Sequence, residues 1–389
     1  MTQPPAPPAA KSILVVGGCG FLGRQIVQSL LHQATTTSPP TPKISVIDVN
    51  TPKNPQVGVT YHMCSITSLP HLQQLISTIK PQVIIHTASA LPSVIPTTNA
   101  DDVELFTKVN VEGTDNLLEC ARDESSVEVF VYTSSAAILQ RKESYMAVED
   151  AVVSEVQINI DRFDPYSGTK GIADTLVLLA NNRNPAHKRG LRTCCLRIGG
   201  MYGVGDMTLT WPAMEALRLG ETRLQIGDGS KQSDFLAVEN AAHAHILAMN
   251  ALSAGITNLN APEVDGEAFF ITDDNPMSYW ALRRKMWDHA GYVQKVEDVK
   301  IISGSVIMAL ALILEWIYLI FSFGYKQPKI IRTRKLEWVC LNRTFDISKA
   351  KERLGYSPKV STNEAVKSAV EWALEHQAEL GLSDEKKRL

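Results

Sequence analysis

The stretch ILVVGGCGFLG, residues Ile13–Gly23, decides the fold of this 389-residue chain. Its first four residues form an apolar run rich in β-branched side chains, which is typical of a strand buried on both faces of a sheet. A glycine-rich turn follows, and an amphipathic segment then runs through Leu31. Strand, glycine turn and helix in this order let the backbone approach a pyrophosphate at the positive end of the helix. The stretch therefore predicts a dinucleotide site, with a turn that binds no ligand as the alternative; its predicted cofactor-binding residues are Gly17, Gly20, Phe21, Leu22 and Gly23.

A second strand is predicted at 44–48, and it ends in the acid Asp48. In a Rossmann unit a carboxylate at this position hydrogen-bonds the adenosine ribose and repels a 2′-phosphate. A Thr/Pro loop at 33–42 explains why Asp48 lies further downstream than the usual spacing. Asp48 therefore predicts NAD rather than NADP as the cofactor.

Strands and helices continue to alternate through the first half of the chain, with strands predicted at 83–88, 127–132 and 192–198 and helices at 69–79, 101–121 and 166–181. This alternation predicts the α/β class, a Rossmann-type doubly wound parallel sheet, for an NAD-binding domain at 11–200. From about Gly199 the pattern weakens, and shorter elements are predicted at 223–226, 238–252, 269–272 and 279–291. Residues 201–389 are therefore expected to form mainly a smaller α/β substrate-binding lobe. His86 ends a buried strand, where a structural role is favoured over that of a catalytic base.

Composition narrows the classes of partner and compartment. The net charge is −3, so nothing global indicates a nucleic-acid partner. Six cysteines show no CxxC pair and no metal-ligand spacing, which favours a reduced intracellular compartment and predicts no metal site. Residues 1–10 are rich in Pro and Ala and predict a disordered tail instead of a signal peptide.

Tyr166 and Lys170 supply the chemistry that the fold alone does not indicate. If a helix begins near Pro165, the two residues lie four apart on one helix face. An unperturbed phenol has a pKa of about 10, and a neighbouring ammonium is expected to lower that pKa toward neutrality. Tyr-x-x-x-Lys is therefore the minimum apparatus for moving a proton on or off an alcohol, although the spacing alone also occurs by chance.

Several motifs together resemble an extended short-chain dehydrogenase/reductase of the 3β-hydroxysteroid dehydrogenase branch. They are the glycine turn at 17–23, VYTSS at 131–135, YSGTK at 166–170, and LR…YG at 196–203. A more specific stretch, 264–282, is similar to fungal sterol-4α-carboxylate 3-dehydrogenases. The resemblance covers roughly residues 12–372.

The resemblance implies roles for individual residues. Tyr166 would be the general base, and Lys170 would be its electrostatic partner and a ribose ligand. Ser135 would bind the reacting oxygen, with Thr133 and Ser134 supporting it. Asn110 would belong to the set that relays protons and positions the helix.

Three departures from the family pattern bear on the cofactor and substrate. Ser65 stands where the family usually has an acid near adenine, and it joins Ala88 in the predicted cofactor-binding set. Arg197 lacks the proline that usually follows it, and residues 232–237 are less aromatic than in the family. Another triterpenoid or meroterpenoid is therefore an open alternative to a sterol substrate.

A hydrophobic stretch at 301–323 is about long enough to span a bilayer, although Glu315 interrupts it. A stripe of small or polar residues predicts a helix with one face on protein or a lipidic ligand and the other in a membrane; its members are Gly304, Met308, Ala311, Glu315, Tyr318 and Ser322. Basic residues suited to anionic head groups follow: Lys326, Lys329, Arg332, Arg334 and Lys335. A buried core helix is the alternative. With the resemblance, the stretch predicts association with the cytosolic face of the endoplasmic reticulum or a lipid droplet, and a homodimer is among the expected assemblies.

The leading functional hypothesis is NAD-dependent oxidation of the 3β-hydroxyl of a sterol-like or triterpenoid 4-carboxylate. The resulting 3-ketone lies β to the carboxylate, so it provides the electron sink for loss of CO₂. An NAD(P)-dependent ketoreductase or epimerase acting on a smaller metabolite is the alternative within the same class. A catalytically silent dinucleotide-binding scaffold is the alternative from another class, and the complete set of Ser135, Tyr166 and Lys170 argues against it.

Overall fold

A computed structural model describes residues 12–36, 42–91, 101–139, 145–148, 160, 164–182, 190–257, 261–323, 328 and 332–377. The predicted tail at 1–10 and the charged end of the chain lie outside these ranges.

The described strands, in chain order, are β1 (Ser12–Val16), β2 (Lys43–Asp48), β3 (Val59–Met63), β4 (Val83–His86), β5 (Val129–Ser135), β6 (Tyr145–Val148), β7 (Arg192–Ile198), β8 (Gly200–Tyr202), β9 (Leu224–Ile226), β10 (Phe235–Ala237), β11 (Glu267–Ile271), β12 (Lys300–Ile302) and β13 (Arg343–Phe345). The described α-helices are α1 (Phe21–Thr36), α2 (Leu69–Ile79), α3 (Asp101–Phe106), α4 (Gly113–Asp123), α5 (Pro165–Leu179), α6 (Thr210–Arg218), α7 (Val238–Thr257), α8 (Tyr279–His289), α9 (Gly304–Phe321), α10 (Thr333–Cys340), α11 (Ser348–Leu354) and α12 (Thr362–Glu375).

Helix ends follow local chemistry. Pro165 lies in the first turn of α5, where its missing N–H costs nothing. Ser361 and Glu364 form a capping box at the start of α12. The predicted helix at 101–121 is confirmed, but a π-helical segment, Thr107–Glu112, interrupts it between α3 and α4. Such segments often occur at functional sites, and this one contains Asn110.

The central sheet has seven strands in the order β11-β7-β5-β4-β1-β2-β3, and every pairing is parallel. The order reverses between β1 and β4, which is the switch point where doubly wound sheets bind ligands. The carboxyl ends of β1, β2, β4 and β5 therefore meet at one edge of the sheet. The predicted Rossmann-type parallel sheet is confirmed.

Two hydrophobic cores cover the faces of the sheet, one beneath α1 and α7 and the other beneath α2, α4 and α5. Helix α7 and strand β11 belong to this layered structure, although both come from the 201–389 segment. This corrects the expectation that the elements at 238–252 and 269–272 belong to the smaller lobe. The physical reason is that the apolar run at the end of β11 extends the parallel sheet beside β7.

The smaller lobe packs α6, α8 and α12 around a third hydrophobic cluster. Asp273, just after β11, connects this lobe to the sheet. It accepts hydrogen bonds from the Tyr202 hydroxyl at 2.7 Å, from Asn240 Nδ2 at 2.7 Å and from the Ala237 amide at 3.0 Å. Burial raises the pKa of Asp273, and these hydrogen bonds oppose the rise.

Helix α9 is long and apolar enough to cross a membrane, and it is the only such helix among the described residues. Ala311 is its one buried residue, so the buried-core-helix alternative is wrong. The predicted stripe contacts α10 through Glu315, whose Oε1 accepts from the Thr333 amide at 2.7 Å and from its hydroxyl at 3.0 Å. The acid therefore holds the start of α10. Of the predicted basic run, Arg332 is buried, contrary to its expected place at lipid head groups, and Lys326 and Lys329 lie outside the described residues.

Candidate active site

The glycine turn after β1 is closed to side chains at two positions. Gly17 has φ +84°, and a Cβ there would lie 2.6 Å from the Ala88 nitrogen. A Cβ on Gly23 would lie 2.1 Å from the Gly17 carbonyl oxygen. Only glycine permits this close packing of backbone on backbone, which leads directly into α1. The turn thus has the shape that a pyrophosphate-binding turn requires.

Asp48 lies at the carboxyl end of β2 beside this turn. Its Oδ2 accepts a hydrogen bond from the Cys19 amide at 3.0 Å, and Oδ1 accepts one from the Asn50 amide at 2.9 Å. The carboxylate is therefore fixed at the edge of the turn. Burial, followed by the charge of Asp48, raises the pKa of the Cys19 thiol to about 11, so this cysteine stays protonated at neutral pH.

Lys170 extends from α5 to the end of β5. Its Nζ donates to the Thr133 carbonyl at 2.5 Å and lies 4.3 Å from the centre of the Tyr132 ring. Burial lowers the pKa of Lys170 to about 7, while Cys195 and Asp174 oppose the fall. Its charge consequently changes near neutrality.

Tyr166 is half-buried one turn before Lys170 on α5, with its ring edge-to-face against Phe106 at 6.5 Å between centroids. Burial raises the pKa of Tyr166, and a hydrogen bond with the Ser135 side chain opposes the rise. The pKa of Tyr166 is therefore raised, and the lowering expected from Lys170 is not observed. Ser135 also accepts from the Ala137 amide at 3.2 Å, which fixes its hydroxyl at the end of β5.

Asn110 joins the loop after β4 to α5 from inside the π-helical segment. Its Oδ1 accepts from the Ala90 amide at 2.8 Å and from the Ser89 hydroxyl at 3.0 Å. Its Nδ2 donates to Thr169 Oγ1 at 3.1 Å. Asn110 is fully buried and does not line the cavity, so its contacts connect the loop after β4 to α5.

A buried ion pair beneath Lys170 was not predicted. Arg197 Nη2 lies 2.8 Å from Asp174 Oδ1, and the Ser134 hydroxyl donates to Asp174 Oδ2 at 2.6 Å. The pair joins β5, α5 and β7. Replacing only one of its two partners would lower the free energy of unfolding by about 3–5 kcal/mol, because the other charge would stay buried and uncompensated. Asp174 lies four residues after Lys170 on α5, so this spacing was the available signal in the sequence.

His86 is completely buried, and its Nε2 lies 3.1 Å from the Thr114 hydroxyl. Burial, followed by the charge of Lys170, lowers the pKa of His86 to about 3. The ring therefore remains neutral, in agreement with the structural role favoured from the sequence.

One cavity of about 570 Å³ brings Tyr166 and Lys170 together with the predicted cofactor-binding residues, whereas Ser135 and Asn110 do not line it. All of the predicted cofactor-binding residues line it: Gly17, Gly20, Phe21, Leu22, Gly23, Asp48, Ser65, Ala88, Tyr166 and Lys170. Beyond them the wall is largely apolar, formed by Leu91, Leu105, Val109, Ile198, Met201 and Met207. Ser65 is held by a 2.9 Å hydrogen bond between its hydroxyl and that of Thr67.

The parallel sheet, the glycine turn and the Tyr-x-x-x-Lys helix around one cavity define an extended short-chain dehydrogenase/reductase. Within this class, residues 14–300 match the 3-beta hydroxysteroid dehydrogenase/isomerase family. The chain belongs to this family of enzymes. The matched region ends before α9 begins.

Curated relatives extend the similarity across nearly the whole chain. The sterol-4-alpha-carboxylate 3-dehydrogenase, decarboxylating, of Saccharomyces cerevisiae is 30% identical over 93% of this chain and 97% of its own length. The mouse protein of the same description is 30% identical over 93% of this chain and 91% of its own. An Arabidopsis thaliana 3beta-hydroxysteroid-dehydrogenase/decarboxylase is 33% identical over 75% of this chain and 62% of its own.

Solved structures share the fold at lower identity. UDP-glucose 4-epimerase from Thermotoga maritima has a TM-score of 0.67 at 21% identity and covers 94% of this chain and 99% of its own. The dTDP-glucose 4,6-dehydratase from Bacillus anthracis, solved with NAD, has a TM-score of 0.65 at 18% identity. The match covers 95% of this chain and 98% of the dehydratase. At this identity the likeness concerns the fold alone.

Proposed function

We propose that this protein is an NAD-dependent dehydrogenase that oxidises the 3β-hydroxyl of a sterol-like or triterpenoid 4-carboxylate, with loss of the carboxylate as CO₂. The observation that carries this proposal is the single cavity that joins the glycine turn and Asp48 to Tyr166, Lys170 and an apolar wall. The printed activity of the yeast and mouse relatives, sterol-4-alpha-carboxylate 3-dehydrogenase, supports the same substrate class.

The cofactor end of the cavity fits a dinucleotide. The closed glycine turn accommodates a pyrophosphate at the start of α1, and the fixed carboxylate of Asp48 suits unphosphorylated ribose hydroxyls. Lys170, which lines the same cavity, would bind the second ribose. Bound NAD supplies the hydride acceptor. In this proposal residues 11–200 hold most of the cofactor, while 201–389 contribute mainly to substrate binding.

Tyr166 would take the proton from the substrate hydroxyl. A hydrogen bond from Ser135 opposes the effect of burial on the phenol of Tyr166. In this proposal the Ser135 hydroxyl would also contact the substrate oxygen. The ammonium form of Lys170 would stabilise the phenolate. Asn110 would hold α5, and therefore both catalytic side chains, against the loop after β4.

Loss of CO₂ needs no further group on the protein once the 3-ketone exists. The ketone is β to the carboxylate, so the electron pair of the breaking C–C bond passes into an enolate. The described residues contain no His, Cys, Asp and Glu cluster that could hold a metal ion. The keto oxygen would be left near Tyr166 and Ser135, which can return a proton to the enolate oxygen.

Purified protein should be assayed with NAD and a panel of 4-carboxy sterols and triterpenoids, with product mass as the readout. The expected product is a ketone that lacks the mass of CO₂. A 4-hydrogen analogue of the same sterol is the matched substrate and should give the ketone without mass loss. Absence of any NAD-dependent product across the panel would overturn the proposal, and a ketone that retains the carboxylate would overturn only the decarboxylation.

Helix α9 supports a further part of the proposal, namely docking on a membrane surface. Its outer face exposes large apolar residues, including Leu312 (50% exposed), Trp316 (58%) and Ile320 (64%). Strand β12 before α9 pairs with β9, and α10 after it packs on both α9 and α8. Because both ends return to the same lobe, an orientation along the membrane surface is favoured over spanning.

Flotation with neutral and anionic lipid vesicles tests whether α9 docks on a membrane surface. Wild-type protein should float, and more so with anionic lipid. Leu312→Lys with Ile320→Lys should abolish flotation without unfolding, since both side chains are exposed. The control Leu179→Lys with Leu374→Lys also places two lysines at exposed apolar positions and should leave flotation intact. If the wild-type protein does not float with either kind of vesicle, the proposal of membrane docking is wrong.

A further inference from the structure

The end of β5 is held from both faces of the sheet. On the α5 side, Ser134 donates to Asp174 at 2.6 Å. On the opposite side, the Thr133 hydroxyl lies 2.8 Å from Nε2 of His245, a residue of α7. The alternation of side chains along a strand accounts for this arrangement. The Ser134 contact belongs to the ion pair described above, whereas nothing in the proposed chemistry uses His245.

The tautomer of His245 follows from its second contact. Nδ1 lies 2.8 Å from the Ala241 carbonyl oxygen, which can only accept a hydrogen bond. Nδ1 therefore carries the proton, and Nε2 accepts from the Thr133 hydroxyl. Burial lowers the pKa of His245 to about 4, so this neutral tautomer persists at physiological pH.

The peptide that His245 fixes is also the one that holds Lys170. The Thr133 carbonyl accepts from Lys170 Nζ at 2.5 Å, and the Thr133 side chain donates to His245. One residue thus receives the ammonium on its backbone and is fixed to α7 through its side chain. Both His245 and Lys170 are buried, so neither contact can be replaced readily by solvent.

We propose that His245 is a positioning residue for the dehydrogenase, which acts through the Thr133 hydroxyl to hold the carbonyl that binds Lys170. This role rests on the proposed function, in which Lys170 binds the ribose and supports Tyr166. It explains why a polar residue is buried in the otherwise apolar α7 face against the sheet, among Ala241, Ala244 and Ala248.

The hydrogen bond from Lys170 to the Thr133 carbonyl also affects the protonation of Lys170. A carbonyl that accepts from the ammonium favours the charged form, against the burial that disfavours it. The groups that face Lys170 from the elements around it are Tyr132 on β5, Tyr166 and Asp174 on α5, Cys195 on β7, His86 on β4 and His245 on α7. A displaced Thr133 carbonyl should therefore move the pH at which Lys170 loses its proton to a lower value.

His245→Leu removes the acceptor, and His245→Gln retains one at a similar reach. In His245→Leu we expect the Kd for NAD, measured by calorimetry, to rise about tenfold and kcat to fall by a similar factor, as for loss of one hydrogen bond near a charged group. The KM for the substrate should change little, and the pH at which NAD binding weakens should decrease. His245→Gln should restore Kd and kcat to within about threefold of wild type, because its side-chain oxygen can accept from Thr133.

Two further variants separate positioning from general stability. Leu252→Ala removes buried side-chain volume from the same helix and should lower Tm without changing Kd, kcat or the pH profile. Thr133→Val removes the donor of the same hydrogen bond and should reproduce the kinetic changes of His245→Leu. The double variant should be no worse than either single one, since both act through one contact.

If His245→Leu lowers Tm like Leu252→Ala but leaves Kd, kcat and the pH profile at wild-type values, the positioning role is overturned. Should His245→Leu fail to fold, unchanged values in Thr133→Val would overturn it equally. Wild-type protein that binds no NAD would overturn the proposed function together with this role. Active wild type with unaffected variants would overturn this role alone.

Discussion

Replacement of Asp48 should shift the cofactor preference from NAD toward NADP. The carboxylate lines the cavity at the end of β2, where the Cys19 and Asn50 amides hold it at 3.0 and 2.9 Å. Asp48→Asn keeps the shape of the side chain and one acceptor oxygen but removes the charge. Asp48→Ala also removes the hydrogen bonds that the carboxylate would make to the ribose.

The two variants should differ in magnitude. A carboxylate and a doubly charged phosphate about 5 Å apart repel by about 2 kcal/mol in water-like surroundings, which suit this partly exposed group. Asp48→Asn should therefore lower the NAD/NADP ratio of kcat/KM about thirtyfold. A hydrogen bond to a charged group contributes roughly 1.5–3 kcal/mol, so Asp48→Ala should lower the ratio on the order of a thousandfold.

Initial rates with both cofactors give the NAD/NADP ratio of kcat/KM. Calorimetric titration with NAD gives the change in its Kd separately. Asp115→Asn removes one exposed negative charge from α4 and should leave the ratio unchanged. Because Asp48→Ala leaves the Cys19 amide without its acceptor, Tm should be measured alongside. A wild-type preference for NADP, or an unchanged ratio in Asp48→Asn, would refute the assignment of Asp48.

Tyr166→Phe removes only the hydroxyl and should lower kcat by roughly 10²–10⁴ with NAD affinity almost intact, whereas Lys170→Met should damage both turnover and NAD affinity. Retention of more than a few per cent of activity by the phenylalanine variant, or unchanged values in the methionine variant, would contradict these roles. Gly23→Ala should abolish NAD binding in titration, because its Cβ would lie 2.1 Å from the Gly17 oxygen; Gly20→Ala, at 3.2 Å from the same oxygen, is the milder matched variant and should bind more tightly. Burial lowers the pKa of His86 to about 3 and that of His245 to about 4, so the unfolded chain takes up protons below pH 6.5 that the folded chain excludes. The stability that comes from the neutral rings is therefore present above pH 6.5 and is lost as pH falls, by about 1.4 kcal/mol per pH unit for each ring. His245→Gln should reduce the slope of unfolding free energy against pH by that amount between pH 6 and 4.5, and an identical slope in urea unfolding would count against the buried neutral ring.

The sequence by itself determined the class of fold and most of the candidate site. Local patterns decide these features: an apolar strand, a glycine turn closed to side chains, an acid at the end of β2, and Tyr166 and Lys170 one helical turn apart. Each depends on residues close together in the chain, so backbone geometry translates it directly into position. The resemblance based on these motifs is confirmed by the family match.

The tertiary structure alone decided what surrounds these residues. The Arg197–Asp174 pair and the His245–Thr133 contact join residues 23 and 112 positions apart, so no spacing in the sequence identifies the partner of either residue. The same holds for β11, which returns from the second half of the chain to the edge of the sheet. It also holds for the pKa of Tyr166, which burial by the whole fold raises although a lysine lies one turn away on the same helix. Long-range burial and pairing are properties of the assembled layers, and the order of residues in the chain does not specify them one position at a time.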